Sequence, residues 1–206
     1  MIRIKICGIT NKEDAIRATG LKVDMLGFVF YKRSKRYVDP ATVRDIANEL
    51  PPSIGRVGVF VDESAEKVRE IAEDADINML QFHGDETPEY CAAFKDGYRV
   101  IKAFRLKDRK GLENVNRYDA DLYLLDTYDK DAEGGTGKVF DWKIAEDYEF
   151  LKPTILSGGL DPKNVTRAIR TVCPYGVDVS SGVEKSPGKK DFELMKRFVE
   201  AVRKAE

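Results

Sequence analysis

The chain begins with Met1-Ile-Arg-Ile-Lys-Ile-Cys-Gly-Ile-Thr10, and the unit that this stretch opens decides the fold. Three isoleucines alternate with two basic residues, which is the period-two pattern of a β-strand. The predicted strand, residues 2–7, stops at a glycine turn, and a predicted helix, residues 12–19, follows a capping residue at Asn11. A strand, a turn and a helix in this order form one β/α unit.

The same unit recurs along the whole chain. Strands are predicted at residues 2–7, 25–30, 57–61, 79–82, 98–104, 122–125, 154–156 and 177–179, and helices at 12–19, 40–50, 64–73, 87–94, 112–115, 141–150, 162–171 and 191–204. Eight alternating units predict one α/β domain over residues 1–206, a closed (β/α)8 TIM barrel. The rival is a doubly wound open sheet, but the first turn carries only one glycine of the dinucleotide fingerprint.

Composition excludes several classes of protein. A hydrophobic fraction of 42% and a mean hydropathy of -0.42 are typical of a globular chain. The net charge of -1 argues against a nucleic-acid partner, and no apolar run reaches the roughly 20 residues that span a bilayer. The first strand leaves no room for a signal peptide, so we expect a cytoplasmic protein. Three cysteines predict no disulfide framework, and the sequence favours neither a monomer nor a homodimer.

In a barrel of this kind, functional side chains follow the carboxyl ends of the strands. Cys7 lies at such an end, where a reactive thiol and a buried structural cysteine are equally expected. Asp126 ends an apolar strand and would ordinarily be a turn aspartate. With Cys7 on the same rim, we expect an acid/base pair, provided that the two environments separate the pKa values. Cations such as Lys5 would lower the thiol pKa, and burial would raise the pKa of Asp126.

Two turns rich in glycine and serine follow the seventh and eighth strands. They are Ser157-Gly158-Gly159 and Ser180-Ser181-Gly182. These two loops of a barrel frequently hold a phosphate together with a short extra helix, because glycine lets backbone N–H groups approach the anion closely. The sequence therefore predicts a phosphate site here, with the extra helix beginning near Val183-Glu184.

Three other segments leave alternatives open. The basic loop at residues 31–37 is either a solvated charge run or an anion clamp built on one of its arginines. His83, the single histidine, is expected to orient a ligand or to have a structural role rather than to catalyse. Residues 134–138 lack the flanking glycine and hydroxyl of a P-loop, so they form either a closing loop or a plain surface loop. With a single histidine, no metal site is predicted.

Ten segments carry a resemblance to a known family. They are KICGIT (5–10), GFVF (27–30), SKRY (34–37), VGVFV (57–61), QFHG (81–84), LLDT (124–127), GGTGK (134–138), LSGGL (156–160), VDVSSGVE (177–184) and PGKK (187–190). They run in order almost from end to end. On these segments the chain resembles the phosphoribosylanthranilate isomerases, barrel enzymes of tryptophan biosynthesis.

The resemblance implies an Amadori rearrangement of phosphoribosylanthranilate without a cofactor. It implies that Asp126 is the general acid and Cys7 the general base, and that Arg36 holds the anthranilate carboxylate. The remaining substrate-binding residues that it implies, chiefly around the phosphate, are Gln81, His83, Gly158, Gly159, Asp178, Ser180, Ser181 and Gly182.

Rival functions differ in the residues they need. The histidine-pathway isomerase of the same fold normally uses two aspartates where this chain has Cys7 and Asp126. A pentose-phosphate epimerase needs metal-ligand histidines, and this chain has one histidine. If the chain were a non-catalytic phosphate-binding barrel, the presence of Cys7 and Asp126 on the same rim would be a coincidence.

Overall fold

Eight parallel strands close into a barrel. The structure, a computed structural model, describes residues 1–127 and 142–206, with Thr127 and Lys143 described by their backbone alone. The barrel strands are β1 (Arg3–Cys7), β2 (Met25–Val29), β3 (Gly55–Phe60), β4 (Met79–Phe82), β5 (Arg99–Leu106), β6 (Leu122–Thr127), β7 (Thr154–Leu156) and β8 (Gly176–Val179). Each strand pairs with the next, and β8 pairs with β1, so the barrel has no free edge. The predicted barrel is confirmed, and the open-sheet rival is wrong.

Helices cover the outside of the barrel. The α-helices of the described residues are α1 (Lys12–Gly20), α2 (Pro40–Ala47), α3 (Ala65–Asp74), α4 (Pro88–Ala92), α5 (Val165–Val172) and α6 (Phe192–Arg203). Most begin at a side chain that accepts a hydrogen bond from the N–H group three residues later. These capping residues are Asn11, Asp39, Ser64, Thr87 and Asp191.

Four predicted helices are wrong in type or extent, and one of them, predicted over 40–50, ends at Ala47. Residues 112–115 run from the end of one 3-10 turn, Arg109–Leu112, to the start of another, Val115–Arg117, rather than forming one helix. The described part of 141–150 holds only the 3-10 turn Trp142–Ile144, because Asp147 has a φ of 61° that an α-helix does not accommodate. α5 begins three residues later than predicted, since the Asp161 carboxylate accepts two N–H groups and holds residues 161–164 in a turn.

The extra helix predicted after β8 is reduced to one 3-10 turn, Ser181–Val183. Instead of continuing the helix, Glu184 starts a small antiparallel hairpin of β9 (Glu184–Ser186) and β10 (Lys189–Lys190). Gly188, with a φ of 78°, allows the chain to reverse. Its carbonyl accepts the Thr10 hydroxyl at 2.5 Å, so the hairpin is bonded to the loop that follows β1.

Two hydrophobic clusters divide the core. The larger one lies between strands and helices and includes Ile4 and Ile6 of β1. The smaller one contains strand residues alone and fills the barrel interior, where Cys7 belongs to it. Because side chains alternate along a strand, Lys5 and Cys7 face inward while the isoleucines face the helices. Among the described residues, no helix is long and apolar enough to cross a bilayer.

Candidate active site

A pocket opens at the carboxyl ends of the barrel strands. Of the predicted site residues, ten line it: Cys7, Arg36, Gln81, His83, Asp126, Gly158, Gly159, Asp178, Ser180 and Ser181. Gly182 does not line the pocket; a Cβ built there would lie 2.0 Å from the Leu160 carbonyl oxygen, so Gly182 lets the eighth loop pack on the seventh. Segments far apart in sequence thus meet at one rim.

The Cys7 thiol is packed against two glycines. Gly27 is its partner on β2, and a Cβ built on Gly27 would lie 2.7 Å from Sγ. Gly8 follows with a φ of 75°, a left-handed conformation that favours glycine. Burial raises the pKa of the Cys7 thiol, and the positive charge of Lys5 offsets this only in part. The expected lowering by Lys5 is present, but burial outweighs it.

Lys5 and Asp178 form a buried ion pair beside the thiol. Lys5 Nζ donates to Asp178 Oδ1 at 3.0 Å, and the Ser157 hydroxyl donates to Oδ2 at 3.4 Å. Burial alone would lower the pKa of Lys5, but Asp178 and Cys7 outweigh burial and hold that pKa above its ordinary value. Asp178 therefore lies at the predicted site as the counterion of a lysine.

Asp126 is linked to the single histidine. His83 Nε2 lies 3.1 Å from Asp126 Oδ2, and Gln81 Nε2 lies 2.8 Å from His83 Nδ1. With the Gln81 amide donating, Nδ1 is the acceptor, so Nε2–H donates to Oδ2 of Asp126, which leaves Oδ1 as the oxygen that can carry a proton. This chain of contacts orients the carboxyl group within the pocket. The contact with Asp126 is a structural one, whereas the ligand-orienting role expected of His83 stays a prediction.

Arg36 is held by a residue that the sequence analysis did not single out as functional. Its Nε donates to Glu184 Oε1 at 2.9 Å and its Nη2 to Oε2 at 2.7 Å, a bidentate pair. Burial would lower the pKa of Arg36, but the Glu184 carboxylate outweighs it and keeps that pKa above its usual range. The signal was present in the sequence, since Glu184 ends the motif at residues 177–184.

The loops after β7 and β8 present unpaired donors. Gly158 and Gly159 adopt left-handed φ values of 82° and 68°. Within the described residues, the backbone N–H groups of Gly158, Gly159 and Ser181 donate to no protein acceptor, and the buried Ser180 hydroxyl has no hydrogen-bond partner. Such a cluster of N–H and O–H groups favours an anion.

Residues 134–138, predicted as a closing loop or a surface loop, lie outside the described residues. Nor does the described part of the chain bring together three histidine, cysteine or acidic side chains in a metal-binding group.

Comparison with known proteins identifies the family. The N-(5'-phosphoribosyl)anthranilate isomerase of Thermotoga neapolitana is 48% identical over 200 residues, which are 97% of this chain and 97% of that protein. The crystal structure of the phosphoribosyl anthranilate isomerase of Thermotoga maritima superposes with a TM-score of 0.92 at 42% identity, covering 99% of this chain and 100% of that one.

A further solved structure contains a ligand. It is a phosphoribosyl anthranilate isomerase in complex with reduced 1-(o-carboxyphenylamino)-1-deoxyribulose 5-phosphate, with a TM-score of 0.86 and 41% identity over 99% of this chain and 100% of that one. The family model for N-(5'phosphoribosyl)anthranilate isomerase matches residues 4–201, the whole barrel described above. The chain therefore belongs to the N-(5'-phosphoribosyl)anthranilate isomerase family.

Proposed function

We propose that this chain, as one domain over residues 1–206, isomerises N-(5-phosphoribosyl)anthranilate to 1-(2-carboxyphenylamino)-1-deoxyribulose 5-phosphate. This Amadori rearrangement is the third step of tryptophan biosynthesis from chorismate. The observation that carries the proposal is the single pocket that holds a thiol, a carboxyl group, an arginine and a cluster of unpaired N–H groups. The substrate carries an anion at both ends, and its reacting carbon atoms lie between them.

Asp126 is the general acid of this mechanism. It protonates the furanose ring oxygen, the bond from C1 to that oxygen breaks, and the nitrogen lone pair forms the Schiff base. His83 Nε2, at 3.1 Å from Oδ2, supports this role because it fixes where the carboxyl group points. The substrate-binding role of Gln81 and His83 stays a prediction, and the contacts favour orientation of Asp126.

Cys7 is the general base. Its thiolate takes the proton from C2, and the electrons of that C–H bond give the enolamine, which then tautomerises to the ketone. No bond forms between sulfur and substrate, so no covalent intermediate is expected. The supporting observation is the inward-facing position of Cys7 on the pocket wall, next to the buried pair of Lys5 and Asp178.

The two anion sites orient the substrate. Arg36 holds the anthranilate carboxylate, and the backbone of Gly158, Gly159 and Ser181 holds the phosphate together with the Ser180 hydroxyl, while Gly182 lies outside the pocket and packs the two loops together. The unpaired donors of these loops support the phosphate site. A phosphate that enters this cluster satisfies buried polar groups that the protein leaves without partners, and this favours binding.

We also propose the conditions under which the chain works. Both steps are proton transfers by side chains within an isomerisation, so we expect no cofactor and no metal ion. The partner is the small-molecule substrate, with no nucleic acid or membrane, and the location is cytoplasmic. The chain acts as a monomer or as a homodimer.

A fluorescence assay tests the proposal. Purified protein is added to phosphoribosylanthranilate in the presence of a chelator, and the loss of anthranilate fluorescence is followed while the product is identified by chromatography. We expect catalytic turnover to the ketose. Binding without turnover would support the non-catalytic barrel, and turnover only of the aminoimidazole substrate would support the histidine-pathway rival. Either result would contradict the proposal.

A further inference from the structure

The β9–β10 hairpin places a buried carboxylate against Arg36. Glu184 Oε1 accepts three donors: Arg36 Nε at 2.9 Å, Lys190 Nζ at 2.8 Å and the Gly188 N–H group at 3.3 Å. Its Oε2 accepts Arg36 Nη2 at 2.7 Å. The Glu184 side chain is 5% exposed, so these bonds are shielded from water. Glu184 is therefore a fixed anchor rather than a mobile surface carboxylate.

This anchor leaves part of the Arg36 guanidinium free. A guanidinium has five N–H groups, and Glu184 uses Nε–H and one of the two Nη2 hydrogens. The edge formed by Nη1 and the second Nη2 hydrogen is not used by Glu184. A second carboxylate binds in bidentate fashion to an edge of this kind.

The Arg36 stem is confined as well. A Cβ built on Gly8 would lie 2.6 Å from Arg36 Cδ and 3.3 Å from Cγ, so the stem passes directly over the glycine that follows Cys7. The Arg36 N–H group donates to the Ser34 hydroxyl at 3.1 Å. The backbone, the aliphatic stem and the guanidinium of Arg36 are thus each held by a different contact. The guanidinium bonds are the ones that orient its free edge.

Lys190 preserves the positive charge of the cluster. Its side chain is fully buried, and Nζ donates to both Glu184 and the Ser180 carbonyl. Burial lowers the pKa of Lys190, while Glu184 opposes that lowering. Glu184 alone would neutralise Arg36, and a protonated Lys190 on the same carboxylate leaves a surplus of one positive charge. That surplus lies beside the pocket and favours an anion there.

We propose that Glu184 is a positioning residue, which holds Arg36 with its free edge toward the substrate carboxylate and so sets affinity for the anthranilate end. The inference rests on the proposed function in that Arg36 is taken to bind this carboxylate. A competing interpretation makes Glu184 an internal rival of the substrate for Arg36. The two interpretations predict opposite changes in KM.

The test replaces Glu184 in the full-length chain. We expect Glu184→Gln to raise KM for phosphoribosylanthranilate about tenfold while kcat changes less than about twofold, because the guanidinium loses its bidentate partner. Ribose 5-phosphate has no aryl carboxylate, so its inhibition constant should be the same for the variant and the wild type. In an Arg36→Met background, Glu184→Gln should change KM no further. Asp24→Asn, which removes another ion-paired carboxylate at the opposite end of the barrel, should keep the wild-type KM.

Several outcomes overturn the inference. One is an unchanged or lower KM in Glu184→Gln. Another is a rise in the inhibition constant of ribose 5-phosphate equal to the rise in KM, which would indicate that the loop after β8 has collapsed. If that variant does not fold, Glu184→Asp decides: its shorter carboxylate should raise KM with inhibition by ribose 5-phosphate unchanged, and a wild-type KM would contradict the inference. If Arg36→Met itself leaves KM unchanged, the carboxylate clamp of the proposed function fails independently.

Discussion

Cys7 reaches the pocket because Gly27, its partner on β2, has no side chain. The hypothetical Cβ at that position approaches Sγ to 2.7 Å and both the Cys7 Cα and Lys5 Nζ to 3.1 Å. The thiol, its backbone and the neighbouring ammonium group therefore leave no room for a methyl group. This single glycine keeps the proposed base where it faces the substrate.

Gly27→Ala should separate activity from folding. The added methyl displaces the thiol, and a displacement of about 1 Å lowers kcat about 100-fold. Overpacking should destabilise the fold by about 1–3 kcal/mol, which leaves a folded protein for kinetics. Urea unfolding and steady-state turnover measure the two effects. Gly20→Ala is the matched control, since nothing lies within 4 Å of its added Cβ; an equally active Gly27→Ala would refute the placement of Cys7.

The pH dependence of alkylation reports the same thiol. Burial raises the pKa of Cys7, with Lys5 and Lys190 opposing it. The base acts as thiolate, which forms as pH rises through that pKa. We therefore expect the rate at which iodoacetamide inactivates the enzyme, which depends on the thiolate alone, to keep rising past about pH 8.5, the ordinary thiol pKa. A plateau reached below pH 7 would show a thiol that is already ionised, and Cys173→Ala should leave the wild-type profile unchanged.

At the scale of elements, the loops after β7 and β8 act as one unit. The α-carbon of Gly182 packs against the carbonyl of Leu160, at the position where the 3-10 turn Ser181–Val183 follows β8. This close approach holds the N–H group of Ser181 near those of Gly158 and Gly159. The phosphate site therefore depends on a contact between two loops, although Gly182 itself does not line the pocket.

Gly182→Ala should weaken the phosphate end. Its Cβ would collide with the Leu160 carbonyl oxygen at 2.0 Å and separate the two loops. Loss of one or two charge-assisted hydrogen bonds raises KM and the inhibition constant of ribose 5-phosphate about tenfold or more. Inhibition kinetics check this, and Gly97→Ala, which has open space around its Cβ, serves as control. An unchanged affinity for ribose 5-phosphate would contradict the loop contact.

Elements with a local signal could be predicted from the sequence. Asn11, Ser64 and Thr87 mark helix starts because each cap acts within its own turn. The helix predicted over 141–150 is wrong because Asp147 has a left-handed φ, which no pattern in the sequence indicates. Val183-Glu184 predicts a helix start where the structure has the hairpin after β8, although Pro187-Gly188 carries the turn signal that predicts a reversal.

At the scale of the whole molecule, closure of the barrel creates the site. Eight repeated units were enough to predict the barrel and most of its rim, because the position after a strand is defined by the strand itself. The pairing of Arg36 with Glu184 joins residues 148 positions apart, and no local pattern specifies such a contact. The inward direction of the Lys5 side chain could not be predicted either. Alternation along a strand distinguishes its two faces, but it does not show which face lines the barrel interior.

The central claim is that Cys7 and Asp126, brought to one rim by the closed barrel, work as base and acid. The direct measurement is kcat of Cys7→Ala and of Asp126→Asn on phosphoribosylanthranilate, each compared with wild type and with Cys173→Ala, together with the affinity of each variant for the ketose product. We expect turnover to be abolished in both variants, product binding to be largely retained, and Cys173→Ala to be fully active. A kcat near the wild-type value in Cys7→Ala would contradict it.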